Sequence, residues 1–145
     1  MMAPRNYRNN NPINIRRSQS DWAGQLSWNC MTDDQKREKE FVVFQDPEWG
    51  FRAAAKLLRN YKLMYGIDTI DGIIRRVAPP SENNTAGYIQ DVSQRTNIPS
   101  TLVIDQTQRF VMEPLLKAIT IHETGSWEPW WHDEDLSKGL DLAGI

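Results

Sequence analysis

The stretch that opens at Asp46-Pro47-Glu48 constrains the fold more than any other. Asp46 is an N-cap candidate, Pro47 has the fixed φ suited to a first helical position, and Glu48 supplies an early acid. Behind them Phe51, Ala54, Ala55, Leu58, Tyr61 and Tyr65 recur at helical spacing, which predicts a helix over about residues 47–65. A helix with one apolar face must bury that face against other elements.

The sequence downstream offers those elements. Thr69 can cap a shorter helix carrying Ile70, Ile73, Ile74 and Val77, which Ala78-Pro79-Pro80 must end. A polar turn from Glu82 to Thr85 precedes a helix with Tyr88, Ile89 and Val92, closed by Asn97-Ile98-Pro99. Asp105 can cap a helix through Phe110, Val111, Leu115, Leu116, Ile119 and His122 that stops at Gly125, with Pro114 expected to kink or divide it. Upstream, Trp22, Trp28 and Phe41-Val42-Val43-Phe44 suit a small antiparallel ribbon, with Asp33 to Glu40 as its solvated connection. Residues 1–17 hold four arginines and no acid, interrupted by the turn-forming Asn9-Asn10-Asn11-Pro12. The expected fold class is therefore α+β and mainly helical: one compact domain over residues 1–145, with a polar N-terminal arm at about 1–8.

Composition narrows the function. The 145 residues, 39% hydrophobic and 25% charged, with six Trp, four Tyr and four Phe, can build a packed core, so wholesale disorder is disfavoured. A formal charge of -2 gives no field suited to coating nucleic acid. Cys30 is the lone cysteine and there are two histidines, too few ligands for a thiolate-rich zinc site or an Fe–S cluster. The metalloprotease pattern H-E-x-x-H fails because Ser126 stands where the second histidine is required after His122-Glu123. Gly-rich phosphate loops are absent, and no metal or other cofactor is expected. The N-terminus lacks the apolar run of a secretory signal, and no window has the length of a membrane span.

One segment suggests chemistry. In Leu115–Gly125, Glu123 follows Ile119 by four residues, so it sits on or beside the buried face where a helix ends. Desolvation there raises a carboxyl pKa toward the range of a general acid. The plain alternative is an exposed glutamate at a helix end.

Ala118-Ile119-Thr120-Ile121-His122-Glu123-Thr124-Gly125 resembles the hydrophobic-helix, Glu-Ser/Thr-Gly signature of lytic transglycosylases and related lysozyme-like peptidoglycan hydrolases. Asn9-Asn10-Asn11-Pro12-Ile13-Asn14-Ile15-Arg16 and Trp22-Ala23-Gly24 resemble the Asn-rich segment and Trp-x-Gly that follow the catalytic helix in those enzymes. Phe51-Arg52-Ala53 and the region from Tyr61 through Tyr88 resemble their later helices. The order here is inverted, so the resemblance implies a circularly permuted lysozyme-like domain. The Asn-Asn-Asn-Pro segment also resembles that of virion proteins from tailed or related bacteriophages.

By that resemblance Glu123 would protonate the glycosidic oxygen between N-acetylmuramic acid and N-acetylglucosamine. Asp133 or Asp135 would serve as the second carboxylate of a lysozyme, whereas a lytic transglycosylase would use the substrate's own 6-hydroxyl; the sequence leaves both open. Glu82 is a less favoured acid. Tyr88 resembles a tyrosine that approaches the sugar or the acid, and otherwise is a half-buried helix residue. Asn14 would orient an acetamido group or hold its own turn, and Trp127, Trp130 and Trp131 would stack on sugar rings or join the core.

The implied function is peptidoglycan glycan-strand cleavage by a lysozyme or lytic transglycosylase mechanism during phage entry. The implied location is the virion, with action at the bacterial cell wall or periplasm, or the host cytoplasm before assembly. The alternative is a noncatalytic structural adaptor of a phage particle, with Asn9 to Arg17 and the acidic C-terminal segment as docking surfaces. Peptidoglycan and virion structural proteins are the expected partners. Nucleic acid ranks low, because Arg5, Arg8, Arg16 and Arg17 lack an accompanying aromatic-basic repeat.

Overall fold

The structure, a computed structural model, describes residues 3–145. The long helix α3 (Pro47–Tyr65) runs through the middle of the core. Pro47 occupies its first turn as expected, but the Asp46 side chain makes no capping hydrogen bond. Gly66 ends it at φ 66°, a left-handed value that a Cβ would penalise. Phe51, Ala53, Ala54, Ala55 and Leu58 are fully buried, and the alanines let neighbouring helices approach closely.

The other elements enclose this helix. Two short helices, α1 (Arg5–Arg8) and α2 (Asp33–Lys36), lie in the N-terminal third with a 3-10 turn at Trp28–Cys30. Helix α4 (Ile70–Val77) starts at Thr69, whose hydroxyl accepts from the Gly72 amide as the sequence predicts. Helix α5 (Thr85–Thr96) follows the Pro-Pro break, capped by Asn84. Helix α6 (Arg109–Thr124) begins later than expected, because Asp105 binds the Thr107 amide and hydroxyl in a local turn instead of capping the helix. It continues through Pro114, whose missing bond would have gone to Phe110 in the exposed first turn. The acidic segment folds as α7 (Asp133–Ala143), with acids in its first turn and Leu136, Leu140 and Ala143 buried against α3. No helix is long and apolar enough to cross a membrane, among the described residues.

The α+β expectation is corrected here. The molecule is mainly helical, and no strand or sheet forms among the described residues; there are two isolated bridges, Arg16 with Phe41 and Gln25 with Phe44. Phe41 to Phe44 do run extended, but they are buried from both sides and bond to several segments at once: Val42 N to Ile15 O, Leu26 N to Val43 O, and Phe44 N to Asn9 O. A continuous ladder is interrupted because the Asn11 side chain takes the Val42 carbonyl and Asn14 turns the backbone to φ 54°. Asparagine side chains thus replace backbone partners that a ribbon would have required. With no sheet present, the lysozyme-like, circularly permuted assignment is corrected with it.

Candidate functional site

Glu123 occupies the last turn of α6, and its surroundings follow from how that helix is terminated. Gly125 takes φ 100° and ends the helix. Thr124 turns its hydroxyl inward, donating to Thr120 O (2.8 Å) and accepting from Asn6 Nδ2 (2.7 Å) and Trp131 Nε1 (2.8 Å). Asn6 also donates to Pro12 O at 2.9 Å, so one hydroxyl joins α6, α1 and the tryptophan loop. Asn11 bonds Ile15 and Val42 by both ends of its amide. These bonds fix the Asn9–Ile15 segment against the end of α6.

Asn14, held in the left-handed region, donates its Nδ2 to Glu123 Oε1 at 3.0 Å. Tyr88, from α5, is 3% exposed and faces the same carboxylate. Its ring stacks on His122 at 3.7 Å between centroids, and His122 Nδ1 lies 2.7 Å from Asp91 Oδ2. Asn14 Oδ1 is buried with no hydrogen-bond partner among the described residues, and the Tyr88 hydroxyl is buried beside the Glu123 carboxylate. Burial raises the Glu123 carboxyl above its usual value, against the opposing effects of the Asn14 hydrogen bond, the neighbouring His122 and the Tyr88 hydroxyl. Burial, then the Glu123 charge, pushes the Tyr88 phenol well up. Asp91 is lowered: its burial opposes ionisation, but the hydrogen bonds from His122 and Arg95 outweigh that cost.

Glu123 borders a cleft of about 570 Å³ whose walls include Asn14, Arg16, Phe41, Leu57, Arg76 and Glu82. A smaller hollow of about 310 Å³, lined by Tyr88 and His122, also borders Glu123. Arg16 is tied to Glu40 and Glu82 at 3.0 and 2.9 Å, and Arg5 to Glu38 at 2.8 Å. Arg76 lies over the Tyr65 ring at 4.6 Å and has no carboxylate partner among the described residues. The sequence did not single out Arg76, since an arginine on an exposed helix turn carries no distinguishing signal, and it offered Phe41 only as part of the ribbon.

The remaining predicted residues lie elsewhere. Asp133 is exposed, paired with Lys117 at 2.9 Å, and held below the usual carboxylate range by that hydrogen bond. Asp135 lies in the first turn of α7. Trp131 is buried between Phe51 and Tyr7, Trp127 packs on Phe51 with the Lys117 ammonium 4.8 Å from its ring, and Trp130 tilts against Tyr7. None of the three lines the cleft. No group of three or more His, Cys, Asp or Glu side chains arranged to hold a metal ion occurs among the described residues.

No family model matches the sequence. It is 35% identical over 143 residues to Protein P5 of Pseudoalteromonas phage PM2, an alignment covering 96% of this chain and 81% of the phage protein. The chain belongs to the protein P5 family. The expectation of a peptidoglycan-cleaving enzyme is corrected on these findings. Among the described residues the helical fold has no sheet of the kind a lysozyme-like domain carries, Asp133 is engaged by Lys117, and the relative is a phage protein. Association with a phage is the part of that expectation which the P5 family supports.

Proposed function

We propose that the protein is a noncatalytic structural adaptor of a phage particle. The similarity to Protein P5 of phage PM2 along nearly the whole chain carries this reading. The surface chemistry supports it. At the end of α3, Leu63 and Met64 are exposed beside Leu102 and Val103. The bonds Ile104 N to Asp68 O and Lys62 Nζ to Ile104 O hold these two segments together. Phe110, at the start of α6, is 78% exposed. Exposed apolar side chains of this size suit a protein interface, here with a virion structural protein. The Asn9–Arg17 segment serves mainly inside the fold, since Asn9, Asn11, Ile13 and Ile15 are buried.

The test is incorporation into purified particles of wild-type protein and of Val103→Asp and Phe110→Asp. Both side chains are exposed, so each variant should keep its stability within about 0.5 kcal/mol. Loss of incorporation by folded variants is the expected outcome. A protein absent from washed wild-type particles would overturn the adaptor role.

A further inference from the structure

Two uncompensated charges of opposite sign face one cleft. Glu123 has no cationic partner in hydrogen-bond or ion-pair contact among the described residues, since the adjacent His122 is engaged by Asp91. Arg76, in the last turn of α4, packs on tyrosine rings without a carboxylate. The other two arginines of the cleft are already neutralised, Arg5 by Glu38 and Arg16 by Glu40 and Glu82. The same cleft also presents apolar side chains, among them Ile13, Leu57 and Val77.

The acceptor end is also incomplete in its hydrogen bonding. Asn14, which lines the cleft, has its Oδ1 buried beside Glu123 without a hydrogen-bond partner among the described residues. A primary ammonium has three donors and no acceptor, so it matches a carboxylate flanked by an amide oxygen. Leaving such groups unpaired is costly, and a charged donor offsets that cost more than a neutral one does.

We propose that this cleft binds a zwitterionic amino-acid group, its primary ammonium received by Glu123 and Asn14, its alkyl stem on Leu57 and Val77, and its carboxylate on Arg76. A C-terminal lysine of a polypeptide and a free ω-amino acid share this chemistry. The Glu123 carboxyl, raised by burial, is stabilised in its ionised form by the incoming ammonium. The site is independent of the surface that attaches the protein to a particle, so the particle-incorporation experiment and this one can fail separately.

The probe is 6-aminohexanoate, titrated into the intact protein with backbone amide shifts recorded. The expected result is saturable shifts around Asn14, Val77 and Glu123 with a Kd of about 1 mM, reasonable for a ligand of this size. Hexylamine and hexanoate, each lacking one charge, should bind at least about tenfold more weakly. These arms leave the protein unaltered. Glu123→Gln and Arg76→Gln, checked for folding by circular dichroism, should each lose at least about tenfold. Nα-acetyl-lysine binding as well as 6-aminohexanoate, with its methylamide weak, assigns the site to a C-terminal lysine. Selectivity for 6-aminohexanoate over Nα-acetyl-lysine assigns it to a free amino acid. The proposal is overturned by unsaturable shifts, by equal binding of hexylamine or hexanoate, or by undiminished affinity in folded Glu123→Gln.

Discussion

Replacing Thr124 by valine keeps the side chain's shape and removes one hydroxyl on which three parts of the molecule converge. Trp131 is 2% exposed, and its Nε1 has that hydroxyl as its hydrogen-bond acceptor. Left unpaired in the core, this donor costs about 1–3 kcal/mol. Asn6 loses one of its two acceptors but keeps Pro12 O, and the bond from Thr124 to Thr120 O disappears, adding about 1 kcal/mol together. The expected destabilisation is thus about 2–4 kcal/mol, a large share of a typical domain's stability. Urea unfolding followed by tryptophan fluorescence measures it as a lower midpoint with unchanged slope. Thr124→Ser, which retains the hydroxyl, should lose less than half as much. In the double variant with Trp131→Phe the donor is gone, so the two effects should be less than additive. A Thr124→Val midpoint within about 0.5 kcal/mol of wild type would refute the hydroxyl's place at this junction.

Three other perturbations test separate parts of the structure. At Gly139→Ala on α7 the new Cβ would meet Phe51 Cβ at 2.5 Å, Glu48 O at 2.9 Å and Arg52 N at 3.0 Å. Overpacking against immobile backbone should cost about 1–3 kcal/mol and outweigh the roughly 1 kcal/mol gained in helix propensity, so a raised melting temperature would contradict the close α3–α7 packing. Glu123 is raised in the fold above its ordinary value of 4.5, so the folded state holds its proton longer than the unfolded one and stability falls as pH rises through that interval. Glu123→Gln should therefore gain on wild type as pH rises above 4.5, and a stability difference independent of pH would count against the burial argument. Asp91 is lowered below 3.8, so its contribution is present above that value and is lost as pH falls through the folded pKa; Asp91→Asn should flatten the acid limb of the urea-midpoint profile, and an unchanged limb would deny the His122–Asp91–Arg95 linkage.

The helices were legible where local signals and burial agreed. Pro47, the apolar spacing behind it and Gly66 mark the ends of α3, and Thr69 and Gly125 do the same for α4 and α6. Helix α7 was missed because its acids drew attention to charge, although Leu136, Leu140 and Ala143 carry helical spacing. The ribbon was overread because alternation and aromatic content record burial, and burial alone does not supply a partner strand. Here the partner positions are taken by Asn11 and by a chain turned at Asn10 and Asn14. The cleft was the least legible feature. Asn14 and Glu123 are 109 residues apart, and Arg76 reaches the same space from α4, so no local pattern records their meeting.

The Glu-Thr-Gly sequence that suggested catalysis has a sufficient cause in the way α6 ends. Gly125 is required by the left-handed turn at φ 100°, where a β-carbon would be strained. Thr124 is required by the junction of Asn6, Trp131 and the helix carbonyl. With the neighbouring position turned inward to that junction, helix geometry leaves Glu123 on an adjacent face, at the border of the cleft, where Asn14 holds one oxygen. Hydrolysis of a glycosidic bond by the two-carboxylate route further requires a second carboxyl facing the same bond. In this structure Asp133 instead neutralises Lys117 at the surface, and Glu82, the other acid of the cleft, neutralises Arg16. The same local motif thus follows from helix termination and packing, while the cleft beside it retains one buried carboxylate and one free guanidinium, the charge pattern of a site that holds a ligand.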